Sequence, residues 1–81
     1  MYFFKHCSKE YKLIAKSKLF DKKWYLRTYT DVAMAKKDPV SHYIKYGWRE
    51  GRNPSSFFDT NEYLDTNPDV AAADMNPLYH Y

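Results

Sequence analysis

Cysteine is nearly absent from this sequence, and long apolar runs are missing. Cys7 is the single cysteine, so no disulfide can form within the chain, which favours a reducing compartment. The apolar runs, such as Tyr2-Phe3-Phe4, are only a few residues long. A membrane span needs roughly 20 apolar residues. No apolar segment follows the basic start, so we expect no signal peptide and a cytoplasmic chain.

Glycine is also scarce, and its scarcity bears on nucleotide binding. Gly47 and Gly51 are the only glycines, so no Gly-rich phosphate loop can form, and no DxD motif is present. With 81 residues the chain is also too short for a Rossmann-type domain. No converging polar cleft can be assembled from these residues. We therefore expect no catalytic activity, no cofactor and no bound metal.

Aromatic residues and unevenly placed charges are what the sequence does have. Aromatics make up 20% of the chain, which allows few residues to fill the core of a small fold. Residues 1–37 contain ten Lys or Arg and three acids, whereas residues 38–81 contain three and seven. The two halves thus carry +7 and −4. Such a chain can attract an anionic partner or associate head to tail.

The sequence resembles itself when it is shifted by 38 residues. Twelve of the 24 aligned positions are identical without a gap. Phe20-Asp21 falls on Phe58-Asp59, Tyr25-Leu26 on Tyr63-Leu64, Asp31-Val32-Ala33 on Asp69-Val70-Ala71, Pro39 on Pro77, and His42-Tyr43 on His80-Tyr81. Self-similarity at a fixed period is typical of repeat architectures. We therefore predict an N-terminal segment over residues 1–18 and two copies of a repeat over residues 19–54 and 55–81, forming one compact domain overall.

The second copy is incomplete in this sequence. It ends at Tyr81, whereas in the first copy residues 44–54 still follow the equivalent Tyr43. This favours a fragment or a shortened natural protein. Because a repeat buries its apolar face against the next unit, we expect Leu64, Val70 and Leu78 to be partly uncovered and to promote self-association.

Each copy is predicted to contain two or three short helices. Asp21 and Asp59 are suitable N-caps, and Phe20 and Phe58 precede Tyr25 and Tyr63 at the hydrophobic-staple spacing. These helices should run to Thr28 and Thr66. The recurring Asp31 and Asp69 fit caps of a following turn better than a polar binding site.

A second helix should begin at Pro39 and at Pro77, each at the first helical position after a capping residue. From Pro39, Val40, Tyr43, Ile44 and Gly47 form one seam at helical spacing. Gly47 or Gly51 can supply the left-handed residue that ends this helix. No segment shows sustained strand alternation, and we predict an all-α fold.

An amphipathic helix is predicted over residues 3–17. Its apolar side carries Phe3, Phe4, Cys7, Tyr11, Ile14 and Ala15, and its opposite side carries Lys5, Lys9, Lys12 and Lys16. Cys7 on the apolar side is better interpreted as a small buried residue than as a reactive thiol. The lysines fit a solvated helix face or an anionic membrane surface. Nucleic acid is not supported, because no DNA- or RNA-binding motif is present.

Residues 11–81 resemble a known family of tandem segments. The motifs are FDKKWYL at residues 20–26, GWREGRNP at residues 47–54, NPDVAAA at residues 67–73 and the two PxxHY pairs. They resemble segments attached to bacterial polysaccharide-assembly glycosyltransferases, including rhamnan synthesis protein F-type enzymes. The first copy departs from the pattern at Tyr29-Thr30. The resemblance implies a role in cell-surface glycan synthesis, at the inner face of the membrane, with any transferase activity in another part of a longer protein.

Two groups of residues have both a functional and a structural interpretation. In the GWREGRNP segment, Trp48, Arg49 and Arg52 suit sugar or phosphate binding. The structural interpretation is a linker between repeats in which Trp48 packs inward. His42 and His80 suggest metal or acid–base chemistry, but no ligand-type residue lies at metal spacing around either. We therefore favour the interpretation that each is a helix-surface residue that contacts the neighbouring repeat.

Two functional hypotheses follow. In the first, the chain is a non-catalytic helical module for protein–protein or membrane-surface association, which requires most Tyr and both Trp in helix seams. In the second, it binds carbohydrate, which requires Trp24, Trp48 and nearby Tyr in an exposed cluster. We favour the first because the staple and seam spacings assign Tyr25, Tyr43 and Tyr63 to packing.

Overall fold

The structure is a computed structural model that describes residues 9–81, and this part of the chain is all-α, as predicted. It contains no β-strand. The helices are α1 (Lys9–Lys16), α2 (Lys22–Thr28), α3 (Thr30–Met34), α4 (Pro39–His42), α5 (Thr60–Thr66), α6 (Pro68–Ala72) and α7 (Pro77–His80), with a π-helical turn at Tyr43–Gly47 directly after α4. Residues 3–8 of the predicted N-terminal helix, with Lys5 and Cys7, lie outside the described residues.

The first helix of each copy begins and ends where the sequence predicts. The Asp21 carboxylate accepts a hydrogen bond from Trp24 N at 3.0 Å, and that of Asp59 accepts one from Glu62 N at 3.0 Å. The helices end at Thr28 and Thr66. Each staple pair is also in contact, with ring centroids 5.5 Å apart for Phe20 and Tyr25. The corresponding distance for the second pair, Phe58 and Tyr63, is 5.4 Å.

The proline-initiated helices also follow the prediction. Asp38 and Asn76 cap α4 and α7, and each helix has its proline in the first turn. After α4 the backbone widens into the π-helical turn, where Trp48 N donates to Tyr43 O at 3.1 Å. Gly51, with φ +79°, supplies the left-handed residue.

The predicted capping role of Asp31 and Asp69 is wrong. The N-cap positions of α3 and α6 belong to Tyr29 and Asn67, and neither side chain caps its helix. Each helix starts immediately after the preceding one, with Thr30 or Pro68 as its first residue, so the aspartates lie inside the first turn. There the Asp31 carboxylate is free to bind another part of the chain, and it binds Arg52.

A left-handed residue ends α3 and another ends α6, and neither is glycine. Lys36 has φ 55° and Asp74 has φ 56°. At the first corner Lys37 N donates to Val32 O, and at the second Met75 N donates to Val70 O, both at 3.2 Å. This is the Schellman pattern, which normally places glycine at the left-handed position. Both corners therefore contain an unfavourable backbone conformation.

We expect Lys36→Gly to raise the free energy of unfolding by about 1 kcal/mol, because glycine adopts φ 55° without the steric penalty of a side chain. Thermal unfolding should detect an increase in Tm of about 4–8 °C for a chain of this size. Lys37→Gly is the control, since Lys37 does not have a positive φ, and it should lower stability slightly. An unchanged or lower Tm for Lys36→Gly would contradict the prediction.

The two copies pack in the same way, and α1 contacts both. The three helices of each copy contact one another, and α1 lies against both α4 and α7. One core contains side chains from α1 and both copies, and its buried residues are Ile14, Phe20, Tyr25, Val32, Val40, Tyr43, Trp48, Phe58 and Leu78. The N-terminal helix thus covers the proline-initiated helix of each copy.

The expectation that Val70 and Leu78 are uncovered is wrong. Their exposed fractions are 2% and 6%, and Leu64 is half-buried. Leu78 is covered because α1 packs on α7 and places Ile14 in the same core. The exposed aromatic residues of the second copy are Phe57 (82% exposed), Tyr81 (72%) and Tyr79 (37%).

Candidate interaction surfaces

The first candidate surface is the segment of residues 47–54. It lies on the first copy and is held there by backbone and side-chain contacts. Trp48 is 6% exposed, and its indole nitrogen donates to Ile44 O at 3.1 Å. Asp21 N donates to Pro54 O at 3.0 Å, and Asn53 N donates to the Tyr29 hydroxyl at 2.7 Å. Trp48 therefore packs inward, and the Arg49 guanidinium lies over its ring.

Arg52 forms three side-chain hydrogen bonds to two carboxylates. Its two terminal nitrogens each donate to the Asp31 carboxylate at 2.8 Å, and its Nε donates to Glu50 at 2.8 Å. The guanidinium also lies over the Tyr29 ring, 4.9 Å from the centroid. The hydrogen bonds from Arg52 lower the pKa of Asp31 to about 2. Arg52 thus forms ion pairs only with carboxylates of its own copy, among the described residues.

Arg49 joins the two copies. It donates to both carboxylate oxygens of Asp74, at 3.3 and 2.9 Å, and to Lys45 O at 3.2 Å. Its guanidinium stacks on Trp48 at 4.6 Å. A groove of about 300 Å³ lies beside it, lined by residues of α1, the π-helical turn and the corner after α6. Unlike Arg52, Arg49 is about half exposed, so it is the more accessible of the two arginines.

The histidines pair with tyrosines in both copies. The Tyr25 hydroxyl lies 2.8 Å from His42 Nδ1, and the Tyr63 hydroxyl lies 2.7 Å from His80 Nδ1. Burial raises the pKa of Tyr25 above its usual value. Within residues 9–81 no group of three or more His, Cys, Asp or Glu could hold a metal ion. Each histidine thus contacts a tyrosine of its own copy, four residues after the capping aspartate, and the prediction that it contacts the neighbouring repeat is wrong.

We expect acid to destabilise the fold through His42. Burial, together with the nearby Arg52 charge, lowers the pKa of His42 below 6.5. Below pH 6.5 the unfolded chain therefore binds this proton more readily than the folded one, so stability falls as the pH decreases toward the folded pKa. An NMR titration of the His42 ring in the folded protein should give a midpoint below 6.5. A midpoint at or above 6.5 would refute this.

A basic face on α1 is the second candidate surface. Lys9, Lys12 and Lys16 are exposed, and Leu13 on the same side is 54% exposed. Tyr11, Ile14 and Ala15 point to the core, as predicted. No helix of residues 9–81 has the length and apolar character needed to cross a membrane. Lys5 lies outside the described residues.

The third surface is a groove of about 240 Å³ on the second copy. Most of its lining is aromatic or acidic. Leu19, which precedes α2, lines it together with residues of the second copy: Phe57, Phe58, Asp59, Glu62, Tyr63, Thr66 and Tyr81. Tyr81 is 72% exposed, whereas its counterpart Tyr43 is fully buried. This groove was not predicted, and no local sequence pattern indicates it, because its lining residues lie far apart in the sequence.

Comparisons of the chain with protein-family models, with curated proteins and with solved structures gave no match.

Proposed function

We propose that this chain is a non-catalytic helical repeat module of a cell-surface polysaccharide biosynthesis protein, and that it acts by binding protein. The observation that carries the proposal is the use of its aromatic residues. Tyr25 and Tyr43 are fully buried, and Trp48 is 6% exposed. Carbohydrate sites present aromatic faces to solvent, whereas the rings of Tyr25 and Tyr43 pack against each other and Trp48 packs inward.

The arginines support the same proposal. Arg52 donates to Asp31 through two nitrogens, and Arg49 donates to Asp74 in the same way. Bidentate pairs of this kind already use the donors that a sugar acid or phosphate would need. The polysaccharide context itself comes from the sequence resemblance of residues 11–81.

Sedimentation velocity over a wide concentration range tests this proposal. We expect reversible association, because the positive N-terminal half and the negative second half suit head-to-tail contact and Tyr81 and Phe57 are exposed. Association should weaken with salt. A parallel titration follows tryptophan fluorescence with rhamnose-containing oligosaccharides. A monomer at all concentrations that binds these oligosaccharides saturably would replace the proposal with a carbohydrate-binding function.

The basic face of α1 supports a second candidate, association with an anionic membrane surface. Lys9, Lys12 and Lys16 are each worth roughly 1 kcal/mol near such a surface, and Leu13 can enter the headgroup region. Co-sedimentation with vesicles containing phosphatidylglycerol should be lost in high salt and with neutral lipid. Replacing the three lysines with glutamine should abolish it. Equal binding to neutral vesicles would exclude this mode.

A further inference from the structure

We infer that the groove beside Arg49, between the two copies, binds an uncharged peptide segment of a partner protein, through backbone carbonyl groups and an apolar side chain of that segment. The inference rests on the proposed function, because it gives the surface and the chemical class of the partner of a protein-binding module. It concerns one groove, so association through another surface leaves the proposed function in place.

A buried amide nitrogen without a hydrogen-bond partner belongs to the lining of this groove. Asn76 lines the groove and is 4% exposed. Its Oδ1 accepts from Leu78 N at 2.9 Å and from Tyr79 N at 3.2 Å, which fixes the orientation of the side chain. Its Nδ2 has no acceptor in the part of the chain that the structure describes. Buried N–H donors are ordinarily hydrogen-bonded, so this amide points to an acceptor oxygen on a ligand.

The first copy shows that capping does not require this amide nitrogen. Asp38 stands 38 residues before Asn76 and caps α4 as Asn76 caps α7. Its carboxylate accepts from Ser41 N and also from the Tyr11 hydroxyl, at 2.8 Å. An acceptor oxygen alone therefore serves as the cap, and the N–H groups of Asn76 are available for another purpose.

Arg49 contributes further donors to the groove. An arginine has five N–H groups. Three of those of Arg49 donate to Asp74 and to Lys45 O, which leaves two without an acceptor among the described residues. The side chain is 48% exposed, so a ligand can reach them. These donors and the Asn76 amide match carbonyl oxygens, which only accept hydrogen bonds.

The charge of the lining favours an uncharged ligand. Glu10 and Asp74 carry two negative charges, and Arg49 carries the single positive charge, so the lining has a net charge of −1. A carboxylate or a phosphate is repelled by such a lining. A peptide carbonyl presents an acceptor oxygen without a negative charge, and it is free to bind wherever a segment is extended.

The rest of the lining suits an apolar side chain. Sugars stack on aromatic faces, but here the Arg49 guanidinium lies over the Trp48 ring at 4.6 Å and Tyr79 is 37% exposed. Ile44 and Met75 add apolar surface. Met75 is 38% exposed, and its flexible side chain adapts to ligands and can move aside from the neighbouring Asn76 amide. The volume of about 300 Å³ suits one side chain with its flanking peptide groups.

The test uses N-acetyl-leucine N-methylamide, an uncharged molecule with a peptide group on each side of an apolar side chain. It is titrated into the isotope-labelled chain and followed by NMR. We expect saturable shifts at Asn76, Arg49 and Met75, with a dissociation constant on the order of 1 mM for a ligand of this size. The side-chain amide protons of Asn76 should move downfield, as hydrogen bonding to a carbonyl requires. N-acetyl-leucine, which carries a carboxylate, and methyl rhamnoside should bind more weakly.

Asn76→Asp separates binding from capping. The aspartate keeps the oxygen that caps α7, as Asp38 does for α4, but it lacks the amide donor. It should weaken binding about fivefold or more, because the ligand carbonyl loses a hydrogen bond. Asn61→Asp, on the exposed side of α5 and outside the groove, adds the same charge and should leave the affinity unchanged.

Arg49→Lys keeps the inference testable if Asn76→Asp does not fold. It retains the positive charge beside Asp74 but has fewer N–H groups, so it should also weaken binding. Arg27→Lys, at an exposed arginine of α2, is its matched control. Unchanged affinity in both groove variants, no saturable shift at the groove, or saturation there by methyl rhamnoside in place of the peptide would overturn the inference. Concentration-dependent association of the chain in that case would still support the proposed function.

Discussion

Ile14→Ala is expected to lower the free energy of unfolding by about 3 kcal/mol. Ile14 is 1% exposed and belongs to the core that joins α1 to both copies, so its truncation leaves a cavity that neighbouring helices cannot easily fill. A chain of this length has a total stability of the order of 4–12 kcal/mol. The substitution thus removes a large part of the stability, and denaturant unfolding monitored by circular dichroism should show it directly.

Leu13→Ala provides the matched control for this prediction. Leu13 is the preceding residue of the same helix and is 54% exposed, so the same helix loses a comparable side chain without a buried cavity. Its effect should stay within about 0.5 kcal/mol. Similar losses for the two substitutions would mean that α1 does not pack as described.

Gly47→Ala is expected to lower the free energy of unfolding by about 2 kcal/mol. The added Cβ would overlap the Tyr25 hydroxyl, which cannot move easily because the ring is fully buried and the hydroxyl is hydrogen-bonded to His42. Such overpacking typically costs about 1–3 kcal/mol. Alanine is the better helix former by about 1 kcal/mol, so the overlap must exceed this gain for the prediction to hold. Chemical denaturation of the variant measures the difference.

The partner substitution Tyr25→Phe tests the proposed cause. Alone it should cost about 1 kcal/mol, because His42 loses its hydrogen-bond partner. In its presence Gly47→Ala should stabilise by up to about 1 kcal/mol, since the hydroxyl that the Cβ meets is gone and the helix propensity of alanine remains. The double-mutant cycle should therefore give a coupling of about 2–3 kcal/mol. Additive losses would attribute the effect of Gly47→Ala to another cause.

The helices were predictable because their signals are local. Asp21, Asp59 and Asn76 cap helices within three residues of themselves, and proline at the first helical position sets the start of α4 and α7. The seam of Val40, Tyr43, Ile44 and Gly47 follows from helical spacing alone. Ile44 is half-buried and the other three are buried. The all-α class therefore followed from capping and periodicity.

The arrangement of the helices was less accessible, since it depends on contacts between residues far apart in sequence. The bond between Arg52 and Asp31 spans 21 residues, and that between Arg49 and Asp74 spans 25. No local pattern indicates either pair. Likewise, the burial of Leu78 results from α1 packing across both copies, whereas the sequence suggested that each copy is covered only by the next.

Of the candidate surfaces, the basic face of α1 was predicted from the sequence and the groove of the second copy was not. The exposed lysines of α1 were predicted from a helical wheel, because a single helix determines which side they occupy. The groove at Tyr63 and Tyr81 was not predicted, because its lining brings together residues from Leu19 to Tyr81, which lie far apart in the sequence.

The position of α1 also determines how the molecule opens. In a linear array each unit contacts only its neighbours, and end units can fray independently of the rest. Here α1 rests on α4 and α7 together, so neither copy can release its proline-initiated helix without disturbing the packing of the other. Amide hydrogens of α2 and α5 should therefore exchange through one shared opening event, with similar protection, and the chain should behave as a single foldon.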